Sequence, residues 1–413
     1  MVTQILNILN IIFGIAFVLC YAYQIVFIVI SLIKKPRKYK DTDERFKYAV
    51  LIAARNEENV IDQLIESVKA QDYPGELIDV YVIADNYTDS TAAVAREHGA
   101  RVVERFNTEL VGKGYAISAL FDHIRDSVGF DAYEAYLVVD ADNILENNYI
   151  TEMNKCVAEG ERLVTGYRNS KNFGDSWISQ GNSVWFLRES RQLNGVRSIL
   201  GTTCEIQGTG FLVHKDIIKR QGGWIHHLLI EDVQFTIENV LSGETVAYCD
   251  DAILYDEQPT DFKTSWWQRL RWCRGYLQVL GKYTGKLLSG FFRGKGFSYY
   301  DLIMTMSPAF FISLASIIVN ILGLSLTLII DPDAFMRSLI SSIILCVGAY
   351  LLFAMVSVLT VITERKRIRA TLWQRIWAAI TFPIFMATYI PISAVAIFKK
   401  VEWKQIRHKR VDK

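Results

Sequence analysis

From Ile5 to Ile33 the chain carries no lysine, arginine, aspartate or glutamate. A run this long exceeds the roughly 20 residues that cross a bilayer as a helix, where every backbone N–H and C=O must be paired inside the segment. Leu302–Ile330 and Leu339–Ile362 are long enough to do the same, and Ile376–Phe398 carries Pro383 and Pro391. A cleaved signal peptide does not suit the first run, which has no basic segment before it and too many apolar residues. Lys34-Lys35-Pro36-Arg37-Lys38-Tyr39-Lys40 follows it, so that end is expected on the cytoplasmic side and the N-terminus outside. By the same rule Asp331-Pro332-Asp333 lies outside and Arg365–Arg369 inside. A straight last span would leave the basic tail Lys399–Lys413 outside. Two half-helices broken at the prolines would return it to the cytoplasm, and that arrangement is expected here.

The chain has 413 residues and a formal net charge of +1. Its apolar residues gather before residue 34 and after residue 300, while 41–290 reads as an ordinary soluble protein. The basic residues cluster beside apolar runs, which assigns them to membrane flanks and not to a nucleic acid. Six cysteines show no CxxC or disulfide spacing and are read as thiols. His226 and His227 are adjacent and point apart, so no zinc site is expected there.

Residues 47–142 alternate in a βα rhythm. Tyr48–Ala54 is a continuous apolar run, as in a strand buried on both faces. Asn56–Ala70 has helical spacing, Ile78–Ala84 is the next strand, and Thr88–His98 is helical. Ala100–Val103 is a short strand, Gly112-Lys113-Gly114 opens a helix to about Asp126, and Ala135–Asp140 is another strand. Such a series implies a mostly parallel sheet with ligands at the strand C-termini. The polar residues fall there: Arg55-Asn56-Glu57 after the first strand, Asp85 after the second, and Asp140 and Asp142 after the later one. Each alone reads equally as a cap or turn residue. Together they aim acids at one edge, and Asp140 with Asp142 can face one hard cation such as Mg²⁺ or Mn²⁺. Further on, Arg162–Gly166 is expected as a strand, Asp175–Ser190 as a helix, and Gln207–Val213 as a glycine-punctuated strand. Glu231-Asp232 sits in an apolar run, and Trp266-Trp267-Gln268-Arg269-Leu270-Arg271-Trp272 opens a basic-aromatic helix suited to a membrane interface.

Taken in order, these residues resemble the membrane-bound family 2 glycosyltransferases, the cellulose, chitin, hyaluronan and poly-N-acetylglucosamine synthases. The resemblance spans roughly 45–283. It rests on Ala54-Arg55-Asn56-Glu57, on Asp85, on Gly112-Lys113-Gly114, on Asp140-Ala141-Asp142, on Ile230-Glu231-Asp232, and on Gln268-Arg269-Leu270-Arg271-Trp272. Ile230 stands where threonine is usual, and Asn86-Tyr87-Thr88 departs from the usual Asp-Gly-Ser. The resemblance implies an α/β GT-A (Rossmann-like) glycosyltransferase domain with interface helices and N- and C-terminal transmembrane helices. It divides the chain into an N-terminal helix with its basic flank (1–40), a cytoplasmic catalytic domain (41–260), an interface region (261–298) and a C-terminal transmembrane region (299–413).

It also implies roles. Ala54, Arg55, Glu57, Asp85, Lys113 and Asp140 would bind the nucleotide, and Asp142 with Asp140 a Mg²⁺ or Mn²⁺. Asp232 would be the base with Glu231 beside it, and Gln268, Arg269, Arg271 and Trp272 would meet acceptor and diphosphate. The implied activity is inverting transfer from a UDP-sugar, UDP-N-acetylglucosamine or UDP-glucose, to a growing polysaccharide that is also exported. A glycolipid synthase adding one sugar to a lipid is the alternative, and a non-catalytic nucleotide-binding subunit a further one. The expected location is the plasma membrane, and about four spans leave room for an accessory subunit or an oligomer.

Overall fold

The computed structural model describes residues 2–306, 308–330, 332–401, 408 and 410. After the apolar helix α1 (Val2–Ile33), the chain alternates β1 (Tyr48–Ala54), α2 (Ile61–Lys69), β2 (Ile78–Asp85), α3 (Thr91–Glu97), β3 (Arg101–Arg105), α4 (Lys113–Ser127) and β4 (Ala135–Asp140). Then come β5 (Ile144–Leu145), α5 (Tyr149–Ala158), β6 (Leu163–Ser170), α6 (Trp177–Arg188), α7 (Gly195–Leu200), β7 (Phe211–His214), α8 (Lys215–Gln221), α9 (Glu231–Leu241) and β8 (Ala247–Asp256). Helices α10 (Phe262–Phe292), α11 (Phe297–Met306), α12 (Pro308–Ile330), α13 (Pro332–Thr363), α14 (Leu372–Ala387) and α15 (Tyr389–Phe398) complete it.

One eight-stranded sheet has the order β3-β2-β1-β4-β7-β6-β8-β5. Strands β3, β2, β1 and β4 are parallel, and β7 runs against both β4 and β6. The expected sheet was mostly parallel; the antiparallel β7 makes it mixed. Because side chains alternate across a strand, Leu51, Ile83 and Val138 pack on one face with Leu120 and Phe121 of α4. Val50, Ile52, Val82 and Leu137 pack on the other with Leu64 and Ile65 of α2. Burial on both faces explains why β1 reads as an unbroken apolar run.

Register then brings the strand ends into line. Ala53 pairs with Asp140, Ala54 with Ala84, and Asp85 with Arg105. Helices α2 and α3 start later than their periodicity predicts, and the reason lies in two turns. Asn56 (φ 57°) and Asn86 (φ 49°) are left-handed, a conformation asparagine tolerates better than most residues. The Asn56 Oδ1 accepts from Thr88 N at 2.7 Å, and the Asn86 Oδ1 accepts from Asn107 N at 2.9 Å. The departure at 86–88 is thus a different way of closing the same turn.

Among the described residues, four helical stretches are long and apolar enough to cross a membrane: Gln4–Ile33, Phe311–Ile330, Asp333–Thr363 and Leu372–Phe398. The last divides into α14 and α15 at Thr388 and not at either proline; Pro383 lies within α14 and Pro391 within α15. The Thr388 hydroxyl donates to Phe385 O (2.6 Å) and accepts from Arg269 Nη1 (2.6 Å), which holds this junction against α10. One end meets the sheet domain and the other meets α10: Gln374 Nε2 donates to Gly174 O at 3.1 Å, and Lys399 lies 4.3 Å over the Trp267 ring. Of the basic tail, 402–407, 409 and 411–413 lie outside the described residues, as does Asp331 in the expected outer loop. His408 is described, and its Nδ1 sits 2.9 Å from Glu57 Oε2 at the C-terminal edge of the sheet.

Candidate active site

A cavity of about 1330 Å³ opens at that edge. Ala54, Arg55, Glu57, Asp85, Lys113, Asp140, Asp142, Glu231, Asp232, Gln268, Arg271 and Trp272 all border it. It continues between α1, α12, α13 and α14. Asp142, Asp232 and Trp272 thus border one cavity. Arg269 is the exception. It is fully buried away from the cavity, its guanidinium 4.3 Å over Phe385 and 4.9 Å over Tyr389. On a helix, residues 269 and 271 point about 200° apart, so only one of the two arginines can face the site.

Lys113 joins the two halves of the site. Its ammonium pairs with Asp140, donates to Gly208 O at 2.5 Å and lies 3.7 Å from Glu231 Oε1. The Gly-Lys-Gly spelling has a packing cause. A Cβ on Gly114 would stand 2.2 Å from His226 O, so only glycine lets α4 lie this close to the 226–227 backbone. That approach sets Lys113 between Asp140 and Glu231. Burial alone would lower the Lys113 ammonium's pKa, but Asp140 and Glu231 outweigh it and raise it.

Glu231 and Asp232 occupy the first turn of α9, where the helix N-terminus favours negative charge. Burial pushes Glu231 up to about 7 and raises Asp232 as well, with Lys113 pulling both back. Ile230 cannot cap α9 with its side chain as threonine would; it packs instead on Gly275 of α10, where a Cβ would be 2.7 Å away. Arg271 Nη1 donates to Leu229 O at 2.9 Å, which ties α10 to the residues before the acid pair. Trp272 meets Phe186 edge-on at 5.9 Å. Gln268 Oε1 is buried with no hydrogen-bond partner among the described residues.

On the donor side Asp85 is buried and bridged by Arg105 at 2.5 Å. Asn143 Nδ2 donates to Asp142 Oδ1 (3.3 Å) and to Asp256 Oδ1 (3.0 Å), while Thr209 Oγ1 donates to Asn143 Oδ1 (2.5 Å). The Asp140 N–H donates to Thr209 Oγ1 at 2.8 Å, and Arg168 Nε to Asp256 Oδ2 at 2.9 Å. Burial pushes Asp142 up to about 8, against the opposing pull of His408. His408 Nε2 lies 3.7 Å from Asp142 Oδ2; burial alone would lower the imidazole, but Asp142 and Glu57 push it up to about 10.

No group of three or more His, Cys, Asp or Glu set to hold a metal occurs among the described residues. Asp140 and Asp142 are two hard oxygen ligands bordering the cavity. Mg²⁺-type cations take one or two protein carboxylates and fill the remaining positions with phosphate oxygens and water, so these residues fit a metal that arrives with a nucleotide.

Sequence reasoning missed Arg105, Asn143, Arg168, Glu205, Asp256 and His408. Asp256 had a usable signal, an acid closing β8 at the same sheet edge. His408 had none, because the tail is about 350 positions from Glu57.

Comparison with known proteins agrees with the geometry. The Glycosyltransferase like family 2 profile matches residues 45–275. The chain is 26% identical over 277 residues to the probable glycosyltransferase YdaM of Bacillus subtilis (63% of this chain, 61% of that one). It is 24% identical over 291 residues to the beta-monoglucosyldiacylglycerol synthase of Nostoc (68% and 60%). It is 24% identical over 232 residues to the poly-beta-1,6-N-acetyl-D-glucosamine synthase of Staphylococcus epidermidis (56% and 54%). The match thus spans about three-fifths of the first two relatives' length. The solved mannosyltransferase PcManGT from Pyrobaculum calidifontis, in complex with GDP-Man and Mn²⁺, superposes with a TM-score of 0.60 at 15% identity, over 96% of this chain and 99% of that one. That likeness extends the shared GT-A fold to the flanking helices, and the profile match over more than half of the residues places this chain in glycosyltransferase family 2.

Proposed function

We propose that the chain transfers one sugar, with inversion, from a UDP-sugar (UDP-N-acetylglucosamine or UDP-glucose) to a hydroxyl of a membrane lipid. The observation that carries this reading is the cavity's second arm. Its walls include Phe13, Phe17, Ile25, Ile317, Leu345 and Phe353, with Tyr21, Gln24, Ser313 and Ser316 as polar points among them, while Asn10, Asn320 and Ser342 bond one another at 2.8–3.2 Å. Acyl chains suit such a wall. A hydrated sugar polymer would leave hydroxyls unpaired there, at about 1–3 kcal/mol each. The polysaccharide acceptor remains the second reading, because Trp185, Phe186, Trp272 and Tyr389 also border the cavity and offer faces for stacked sugars.

In this reading Asp85 and the turn at Arg55 seat the nucleoside, with Ala54, Glu57 and Lys113 alongside. Asp140 and Asp142 hold a Mg²⁺ or Mn²⁺, which when bound acts as a Lewis acid toward the diphosphate. Asp232 takes the proton of the acceptor hydroxyl as that oxygen bonds to the anomeric carbon. The bond from that carbon to the diphosphate oxygen breaks, its electron pair leaves with UDP, and attack from the opposite face inverts the centre. Glu231 holds Lys113 in place, Arg271 offers its planar fork to the leaving diphosphate, Gln268 an amide, and Trp272 a face to the acceptor. The catalytic unit is then 41–260, on the cytoplasmic face of the plasma membrane. The flanking units are 1–40, the interface region 261–298 and the transmembrane region 299–413.

The test is UDP release and product sizing with purified protein in vesicles, offered each UDP-sugar. Asp232→Asn is expected to abolish release and keep UDP binding; normal turnover in that variant would refute the reaction. A single-sugar glycolipid is the expected product, and a polymer would replace the lipid reading by the polysaccharide one.

A further inference from the structure

Helix α6 does not continue as an α-helix beyond Arg188. Residues Glu189–Asn194 take the wider π-helical turn before α7 resumes. Such a turn is rare and is frequently found at functional sites. Glu189, its first residue, is 4% exposed and borders the cavity.

The charges along this wall do not balance. Arg188 pairs with Glu189 at 3.1 Å, Arg197 with Asp301 at 2.7 Å, and Arg168 with Asp256 at 2.9 Å. Glu205 is the carboxylate left over. It is also 4% exposed and borders the cavity, and its nearest cation is Arg197 at 4.0 Å, which already holds Asp301 through two donors. Among the described residues the hydrogen bonds of Glu205 involve only its backbone. Burial pushes its carboxyl up to about 8, with Glu189 and Asp232 adding to the effect. One turn beyond Trp272, Tyr276 borders the same space, and its hydroxyl has no partner among the described residues. Glu205, Glu189, Asp232 and Tyr276 thus border one cavity, and the backbone three residues beyond Glu205 passes beside Asp232, where a Cβ on Gly208 would be 3.9 Å from its Oδ2.

A buried carboxyl whose cation stands 4.0 Å away and is shared with Asp301, and a phenol with no hydrogen bond among the described residues, are costly unless a ligand or water pairs with them. We infer that Glu205, Tyr276 and Glu189 form a headgroup subsite next to Asp232 that takes an uncharged polyhydroxyl group, a glycerol or sugar moiety, of the acceptor. The inference rests on the reading that the acceptor reaches Asp232 through this cavity. A protonated carboxyl and a phenol each donate one hydrogen bond and accept others, and an ionised Glu189 accepts; this set matches hydroxyls. A phosphate headgroup would have to compete with the diphosphate for Arg271, since Arg188 and Arg197 are already paired with Glu189 and Asp301.

The experiment uses the full chain in vesicles with UDP-glucose and UDP-N-acetylglucosamine. The acceptor probes are dioleoylglycerol, dodecyl β-glucoside and dodecyl phosphate. UDP release without acceptor is measured beside transfer. The wild type is expected to release UDP and to use the two uncharged probes. Glu205→Ala should raise the acceptor KM about tenfold, the size of one lost buried hydrogen bond, with acceptor-free UDP release unchanged. Glu205→Gln, whose amide also donates and accepts, should recover most of that loss, and Tyr276→Phe should raise acceptor KM alone. If Glu205→Ala does not fold, the Gln and Phe variants carry the same comparison. The subsite is overturned if these variants leave acceptor KM unchanged, if they lower UDP release in step with transfer, or if dodecyl phosphate is the best acceptor. A wild type that releases no UDP from either sugar would instead sink the proposed transferase reaction, a separate outcome.

Discussion

Replacing Lys113 by methionine should move the acid limb of the pH–rate profile upward. Lys113 is the cation nearest to Asp140 and Glu231, and it also acts on Asp232. At 3.7 Å from Glu231 Oε1, and with an effective dielectric of about 20, the attraction is about 4.5 kcal/mol, a ceiling of about 3 pH units. That figure is a ceiling for Glu231; Asp232 beside it feels the same ammonium, and relaxation and water entering the cavity reduce the effect, so an upward shift of the limb smaller than this ceiling is expected. The sign follows from the role of Asp232. It must be ionised to take the acceptor proton, so activity is present above its pKa and lost as pH falls through it. Burial already raises that pKa above the usual carboxylate value, and removing Lys113 raises it further. At pH 7 the variant should therefore be slow, and alkaline buffer should restore part of the rate. Lys113→Arg keeps the charge and should keep the limb near its wild-type position. The assay is UDP release in vesicles from pH 5 to about 10, with thermal unfolding followed by tryptophan fluorescence. A Lys113→Met profile that superposes on the wild type would refute the argument that this ammonium sets the ionisation of the acid pair.

Gly114→Ala places a methyl 2.2 Å from a backbone oxygen, so α4 must shift. A loss of about 1–3 kcal/mol in stability and a fall in activity are expected, and an unchanged melting temperature would contradict the close packing. Arg269→Ala and Arg271→Ala should separate cleanly. The first removes the clamp on Thr388 and lowers stability by about 1.5–3 kcal/mol, while the second leaves the melting temperature near wild type and reduces turnover; calorimetry beside UDP release reads both. Asp142→Ala should lose metal-dependent UDP binding, measured by titration calorimetry with and without Mn²⁺, and the same Mn²⁺ dependence as wild type would count against Asp142 as a ligand. His408→Cys should react with an impermeant thiol reagent only when the membrane face bearing the sheet domain is accessible, since His408 touches Glu57; labelling from the other face would contradict the divided last segment.

Period and composition made the frame legible before any coordinates. The charge-free run Ile5–Ile33 could only be a helix in an apolar medium, and the apolar strands separated by amphipathic helices required a sheet covered on both faces. The acids at strand ends followed, because in such a sheet only the C-terminal edge is open to a ligand. The order of motifs from Arg55 to Trp272 then identified the family.

Other features depended on distance across the fold. Arg269 and Arg271 look alike in the sequence, and only packing against Phe385 and Tyr389 decides that the first is a clamp and the second faces the cavity. The late starts of α2 and α3 come from Asn56 and Asn86, whose side chains bond backbone 32 and 21 residues away. The weak pairing of Glu205, whose cation stands 4.0 Å away and is shared with Asp301, emerges only when the arginines of three separate elements are assigned to their partners. Local periodicity therefore determined which elements form and which face each one buries, since those depend on the nearest few residues. Tertiary structure alone decided which charges pair, where the last helix divides and where the cavity leads, because each of these is settled by groups far apart in the chain that meet in a low-dielectric interior.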